Sequence, residues 1–208
     1  MKNLKDSLKI AAAEKNLAKR GIKIATIVAE ALSSIGENPV LVGGAAVEFY
    51  TEGGYATKDI DMIAMGGPAL WKVMEVLGFE RHGKDFVHTK LKIYIEFPSD
   101  VLGEGEKSIT IDVDGRALRI ISIEDLIVDR LCAYKFWKSE ADGVAALLLF
   151  EVERVDVARL KNRAEKEDVL DALDWIQQLY QDIVRKKLPK KKASQQLRTW
   201  LQGNSAGH

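Results

Sequence analysis

Val40-Leu41-Val42-Gly43-Gly44-Ala45-Ala46 and Thr57-Lys58-Asp59-Ile60-Asp61-Met62-Ile63-Ala64 are the two stretches on which the fold turns. Val40 to Val42 is short, branched and apolar, the composition of a buried strand, and it stops at a glycine pair. Two glycines in succession let the backbone turn sharply and approach another group closely, because neither carries a Cβ. Ala45 to Tyr50 then reads as a short helix, and Thr51-Glu52-Gly53-Gly54-Tyr55 as a loop of turn formers. From Asp59 to Met65 acidic and apolar residues alternate. At a period of two, Ile60, Met62 and Ala64 share one face of a strand, while Asp59, Asp61 and Ile63 share the other.

Upstream, apolar residues recur at three and four, as in Leu4, Leu8, Ala11 and Ala12 and again in Ile24, Ile27, Val28 and Leu32, which predicts two helices broken near Gly21. Gly36 and Asn38-Pro39 close that segment. Downstream, Pro68 opens a helix over Ala69 to Leu77. Phe79 to Phe97 reads as a hairpin whose second arm, Lys92 to Phe97, carries Glu96 near its end. A second hairpin is predicted over Ile109–Val113 and Ala117–Ile121, around the turn signal Asp114-Gly115. Helices are expected over Ser122 to Lys138, Asp142 to Glu151 with Asp142 as N-cap, Asp156 to Asn162, and Lys166 to Val184. A basic segment with Arg185, Lys186, Lys187, Lys190, Lys191 and Lys192 follows, Pro189 suggests a linker within it, and Gln202 to His208 reads as a frayed end. The expected organisation is N-terminal helices over 1–37 packed on a core, an α/β core over 38–121, and a helical extension over 122–208.

Composition narrows the function without naming it. With 208 residues, 47% apolar and 30% charged, the chain suits one α/β domain with appended helices rather than a disordered or fibrous protein. Lysine plus arginine equals aspartate plus glutamate, 31 against 31, so no overall field draws it to nucleic acid or to an anionic membrane. Cys132 stands alone, which excludes an intrachain disulfide and a cysteine-rich zinc site. Charges interrupt every apolar run near the N-terminus, so the expectation is a cytoplasmic protein that neither spans nor contacts a membrane.

The order of parts is what carries chemistry: an apolar strand, a glycine turn opening a helix, a strand with Asp-x-Asp, and a later strand with one more acid. A glycine turn admits phosphate oxygens to the backbone, and the helix start offers unpaired N–H groups and a partial positive charge to the same anion. Asp59 and Asp61 lie roughly 7 Å apart on one strand face and repel each other unless a cation lies between them. Mg²⁺ prefers oxygen ligands and binds through a few carboxylates plus substrate phosphates, so the pair suits a metal–triphosphate site. Glu96 is the candidate third acid, with Asp112 or Asp114 as alternatives. Thr57 and Lys58 precede the acid pair and can touch phosphate, and Lys135 in the helix after the sheet can reach a triphosphate, although a loop threonine and solvated lysines explain them equally well. His82 and His88 have no companions at metal-ligand spacing. The tryptophans in helices are expected mostly to fill core.

Leu41-Val42-Gly43-Gly44, then Thr57-Lys58-Asp59-Ile60-Asp61, then Ile95-Glu96-Phe97-Pro98 and Ser122-Ile123-Glu124-Asp125-Leu126-Ile127, resemble the signature of the DNA polymerase β-type nucleotidyltransferase superfamily. Within it they resemble the small bacterial and archaeal members of unknown substrate, some relatives of which are toxins of toxin–antitoxin pairs. The resemblance spans roughly Pro39 to Phe150. It implies a mixed sheet flanked by helices and two divalent ions, Mg²⁺ or Mn²⁺, on Asp59, Asp61 and Glu96. It also implies transfer of a nucleoside monophosphate from a triphosphate to a hydroxyl of RNA, protein or a small molecule. Ala45 stands where many members place a phosphate-binding serine, and the interval from Gly44 to Asp59 is slightly long. A fold that keeps nucleotide or partner binding without transfer is therefore the alternative expectation. The basic tail is a further candidate for nucleic-acid contact.

Overall fold

The computed structural model describes residues 2–152, 155–186 and 190–203. They form two compact units, Met1–Ser122 and Ile123–His208.

The first unit is an α/β fold. It begins with α1 (Lys2–Ala12) and α2 (Leu17–Ser33) and continues through β1 (Val40–Val42), α3 (Gly43–Tyr50), β2 (Asp59–Ile63) and α4 (Pro68–Leu77). Strands β3 (Glu80–His82), β4 (Asp85–His88), β5 (Ile93–Glu96), β6 (Ser108–Val113) and β7 (Arg116–Ile121) complete it. The sheet is mixed, in the order β3-β4-β5-β2-β1-β7-β6, with β2–β5 and β1–β7 parallel and the other pairs antiparallel. Branched residues dominate its centre, as a sheet covered by helices requires. Leu41, Ile60, Met62, Ile93, Ile95, Leu118 and Ile120 form a buried row, and α2 packs on β7 while α3 packs on β1 and β2.

Three expectations are corrected here. The helix break falls before Asn16, not at Gly21. Asn16 caps α2 by accepting a bond from the Lys19 amide at 3.0 Å, a cap worth about 1 kcal/mol. Gly21 sits inside the helix, where its bare Cα faces Glu48 of α3, and a Cβ there would lie 3.9 Å from Glu48 Oε2. The segment 79–97 is three strands rather than one hairpin: Gly83, at φ +67, turns β3 into β4, and β5 returns beside β4. The glycine helix begins two residues earlier than expected, at Gly43.

The second unit contains α5 (Ile123–Phe136), α6 (Glu140–Leu149), α7 (Val157–Lys166), α8 (Leu170–Lys186) and α9 (Lys190–Gly203). Leu126, Leu131, Tyr134, Leu149, Leu160, Leu173, Ile176 and Leu197 fill its core. Gly143 lets α6 close on α5, since a Cβ there would meet the Tyr134 ring at 2.5 Å. Tyr134 donates to the Leu197 carbonyl at 2.8 Å and stacks on Trp200, with ring centroids 5.0 Å apart. Asp125, 1% exposed, accepts from Arg163 Nε at 3.0 Å and pairs with Arg159.

The cap of α6 is Ser139 rather than Asp142. The Ser139 side chain accepts from the Asp142 amide, and the Asp142 carboxylate is drawn instead to Arg130 Nη1 at 2.6 Å. Trp137 is 84% exposed and is not core. Part of the basic segment, Lys187 to Pro189, and the end from 204 to 208 lie outside the described residues. Among the described residues, no helix is long and apolar enough to cross a membrane.

Candidate active site

The acids of the sheet are organised by strand register. Asp61 on β2 is the partner of Val42 on one side and of Glu96 on β5 on the other. Glu96 is in turn the partner of Asp85 on β4. Asp85, Glu96 and Asp61 therefore share one rung across three neighbouring strands, with backbones about 4.8 Å apart at each step. Asp59 occupies the next position on the same face of β2, opposite Tyr94, which is itself opposite Val87. The alternation of buried Ile60, Met62, Ile93 and Ile95 with more open Asp59, Asp61, Tyr94 and Glu96 confirms that the acids lie on the side away from the buried row.

The glycine turn abuts this rung. Gly43 has φ +62, and a Cβ built on it would lie 2.1 Å from Asp61 Oδ2. The carboxylate thus rests directly on the Gly43 Cα, a contact that no other residue type permits. Gly44 has the same relation to Thr57, whose Oγ1 would be 2.9 Å from an added Cβ. The N-cap position of α3 is Val42, which makes no side-chain hydrogen bond, so the first-turn amides and the positive end of the helix dipole are left to some other acceptor. Lys58 is exposed between Thr57 and Asp59.

Two residues of the site are absent from the sequence expectations. Asp85 enters because β4 pairs with β5. Lys84, at the β3–β4 turn, places its ammonium on Glu96 Oε1. The hydrogen bond and charge of Glu96, followed by the charges of Asp85 and Asp61, hold the lysine's pKa above its ordinary range. The signal was present as Gly83-Lys84, a Gly-X pair suited to a two-residue turn that sets Asp85 opposite His82, and the β4–β5 register then sets Asp85 opposite Glu96. A cleft of about 260 Å³ is lined by Asp59, His82, Asp85, Tyr94 and Glu96.

The remaining candidates lie elsewhere. Asp112 accepts from the Gly115 amide at 3.1 Å and Asp114 pairs with Lys23 at 3.5 Å, both at the β6 edge of the sheet. Lys135 belongs to the second unit, where Asp171 at 2.9 Å and Asp168 at 3.5 Å hold its ammonium.

The donor set is chemically suited to Mg²⁺ or Mn²⁺, being hard carboxylate oxygens from adjacent strands beside a backbone cradle that a Cβ would fill. As the side chains stand, no group of three or more His, Cys, Asp or Glu among the described residues is close enough to hold a metal ion, and Glu96 is turned to Lys84.

The sequence matches no protein-family model and no curated protein. Among solved structures the chain is similar to the crystal structure of an antigenic nucleotidyltransferase-like protein from Paracoccidioides brasiliensis. The TM-score is 0.52 at 13% identity, covering 81% of this chain and 93% of that chain. The α/β fold is thus nucleotidyltransferase-like.

Proposed function

We propose that the first unit binds a nucleoside triphosphate with Mg²⁺ or Mn²⁺ and transfers its nucleoside monophosphate to a hydroxyl of an acceptor: RNA, protein or a small molecule. The observation that carries this is the Asp61–Glu96 rung lying against the Cα of Gly43. It joins three features across the central strands of the sheet: a backbone cradle for phosphate, a pair of aspartates, and a third acid from the neighbouring parallel strand.

The residues divide the work by position. Gly43, Gly44 and the first-turn amides of α3 take the phosphate oxygens, with Thr57 beside Gly44 and exposed Lys58 next in line. Asp59, Asp61 and Glu96 would hold the two divalent ions, which when bound supply charge neutralisation of the triphosphate and a lowered pKa for the attacking hydroxyl. In the transfer, the acceptor oxygen forms a bond to the α-phosphorus. The bond from that phosphorus to the bridging oxygen breaks, and pyrophosphate leaves with the electron pair. In this reading Glu96 also receives the acceptor's proton, directly or through water.

A second reading, a binding module without transfer, is favoured by the engagement of Glu96 with Lys84. The two are separated by incubating the intact protein with Mg²⁺, each labelled triphosphate and a panel of RNA, protein and small-molecule acceptors. Label on any acceptor, lost in Asp61→Asn, supports transfer. Tight triphosphate binding with neither labelled product nor released pyrophosphate supports the module.

A further inference from the structure

Lys84 is, with Asp85, a feature of the acid face to which the proposed division of work gives no part. It sits at the tip of the β3–β4 turn, with its side chain 64% exposed, yet its ammonium is seated on Glu96 rather than in solvent. Three carboxylates on one rung repel one another at neutral pH, and Lys84 supplies the only positive charge paired with Glu96 among the described residues.

We infer, resting on the nucleotide-binding function proposed above, that Lys84 is an exchanging counter-ion: it neutralises Glu96 while the site is empty, and on loading it yields Glu96 to the divalent ion and binds a triphosphate oxygen. The geometry permits both positions. A turn-tip lysine has four rotatable bonds and a strongly hydrated point charge, so it can leave one oxygen for another a few ångströms away. A divalent ion coordinated directly by carboxylate oxygens displaces a solvent-exposed ammonium, whose pairing there is weak. Once displaced, the ammonium lies beside the rung where a metal-bound triphosphate would carry its excess negative charge.

This predicts opposite changes in two affinities, which a merely structural lysine would not produce. In Lys84→Met, Mn²⁺ alone should bind roughly three- to tenfold more tightly than in wild type, because both a competitor and a repelling charge are gone. With Mn²⁺ saturating, the α,β-methylene analogues of ATP, GTP, CTP and UTP should bind at least about threefold more weakly for whichever base is preferred. Lys84→Arg should restore the wild-type triphosphate affinity.

The experiment is a Mn²⁺ titration by electron paramagnetic resonance, followed by calorimetry with each analogue, on the full chain of wild type, Lys84→Met, Lys84→Arg and Asp61→Asn. A melt in EDTA reports folding. Lys84→Met should melt lower than wild type without metal and gain more on adding Mn²⁺. Opposite shifts in the two constants support the exchange. Two constants within about 1.5-fold of wild type, or shifts of the same sign, overturn it while leaving the metal site intact. Equal Mn²⁺ binding by wild type and Asp61→Asn overturns the metal site itself, and the exchange with it.

Discussion

Substituting Gly43 by alanine tests the contact on which the site depends. Two costs are separable in the structure. At φ +62 an alanine pays the left-handed penalty, about 1–2 kcal/mol. Its Cβ would also lie 2.1 Å from Asp61 Oδ2 and 2.9 Å from Asp61 Cγ, so the carboxylate must swing away, an overpacking cost of about 1–3 kcal/mol. The sum is about 2–5 kcal/mol, and for a unit of this size the melting temperature should fall by roughly 6 °C or more.

Gly36 provides the control, since it too has a positive φ, +84, but nothing lies within 4 Å of an added Cβ. Gly36→Ala should therefore show the backbone penalty alone, about 1–2 kcal/mol. In an Asp61→Ala background the nearest remaining contact of the new Cβ is the residue 61 Cβ at 3.0 Å. The cost of Gly43→Ala should there fall to nearly that of Gly36→Ala. Thermal and urea unfolding followed by circular dichroism compare these variants with wild type. If Gly43→Ala and Asp61→Ala add within about 0.5 kcal/mol, the two residues are not in contact and the reasoning fails.

Three other outcomes follow from particular groups. Glu48 on α3 is 4% exposed, and burial raises its carboxyl pKa above 4.5. The folded protein then holds this proton to higher pH than the unfolded chain does, so the stabilisation is complete below about pH 4.5 and is lost as pH rises through the folded pKa. Glu48→Gln should thus be more stable than wild type at pH 7.5 and equal to it near pH 4; a gain independent of pH would contradict the assignment. Asp125→Ala removes the buried carboxylate that Arg163 and Arg159 share in the second unit, while Arg163 keeps Glu167 at 3.0 Å, and should cost about 3–5 kcal/mol in urea unfolding, a loss under 1 kcal/mol being the contrary result. Burial pushes the Cys132 thiol from 9.0 to about 11, so at pH 8 its reaction with a disulfide reagent should be on the order of a hundredfold slower than in the unfolded chain, and equal rates would refute the burial.

The parts of the fold that short-range chemistry dictates were legible in the chain. Val40 to Val42 could only be buried, and the alternation in Asp59 to Ile63 put both aspartates on one face whatever the sheet became. The glycine pair announced close approach, though not the partner, because the Gly43–Asp61 contact arises from the antiparallel register that pairs Val42 with Asp61, 61 − 42 = 19 residues further along the chain. Register is a long-range property, set by packing rather than by neighbours in sequence. For the same reason Asp85 escaped notice: its place beside Glu96 depends on splitting 79–97 into three strands at Gly83. Lys84 looked like any turn lysine until that turn was folded over the acids. Asp142 was misread because Ser139, three residues earlier, is an equally good cap and Arg130 from α5 competes for the carboxylate.

The most direct measurement is a crystal of the full chain soaked with Mn²⁺ and a non-hydrolysable triphosphate analogue, with anomalous difference density used to locate the ion. Peaks are expected about 2.0–2.3 Å from carboxylate oxygens of Asp61 and Glu96, with Asp59 in the same cluster and phosphate oxygens at the Gly43 turn. An ordered triphosphate elsewhere, or Mn²⁺ peaks that avoid Asp61 and Glu96, would contradict the proposed site.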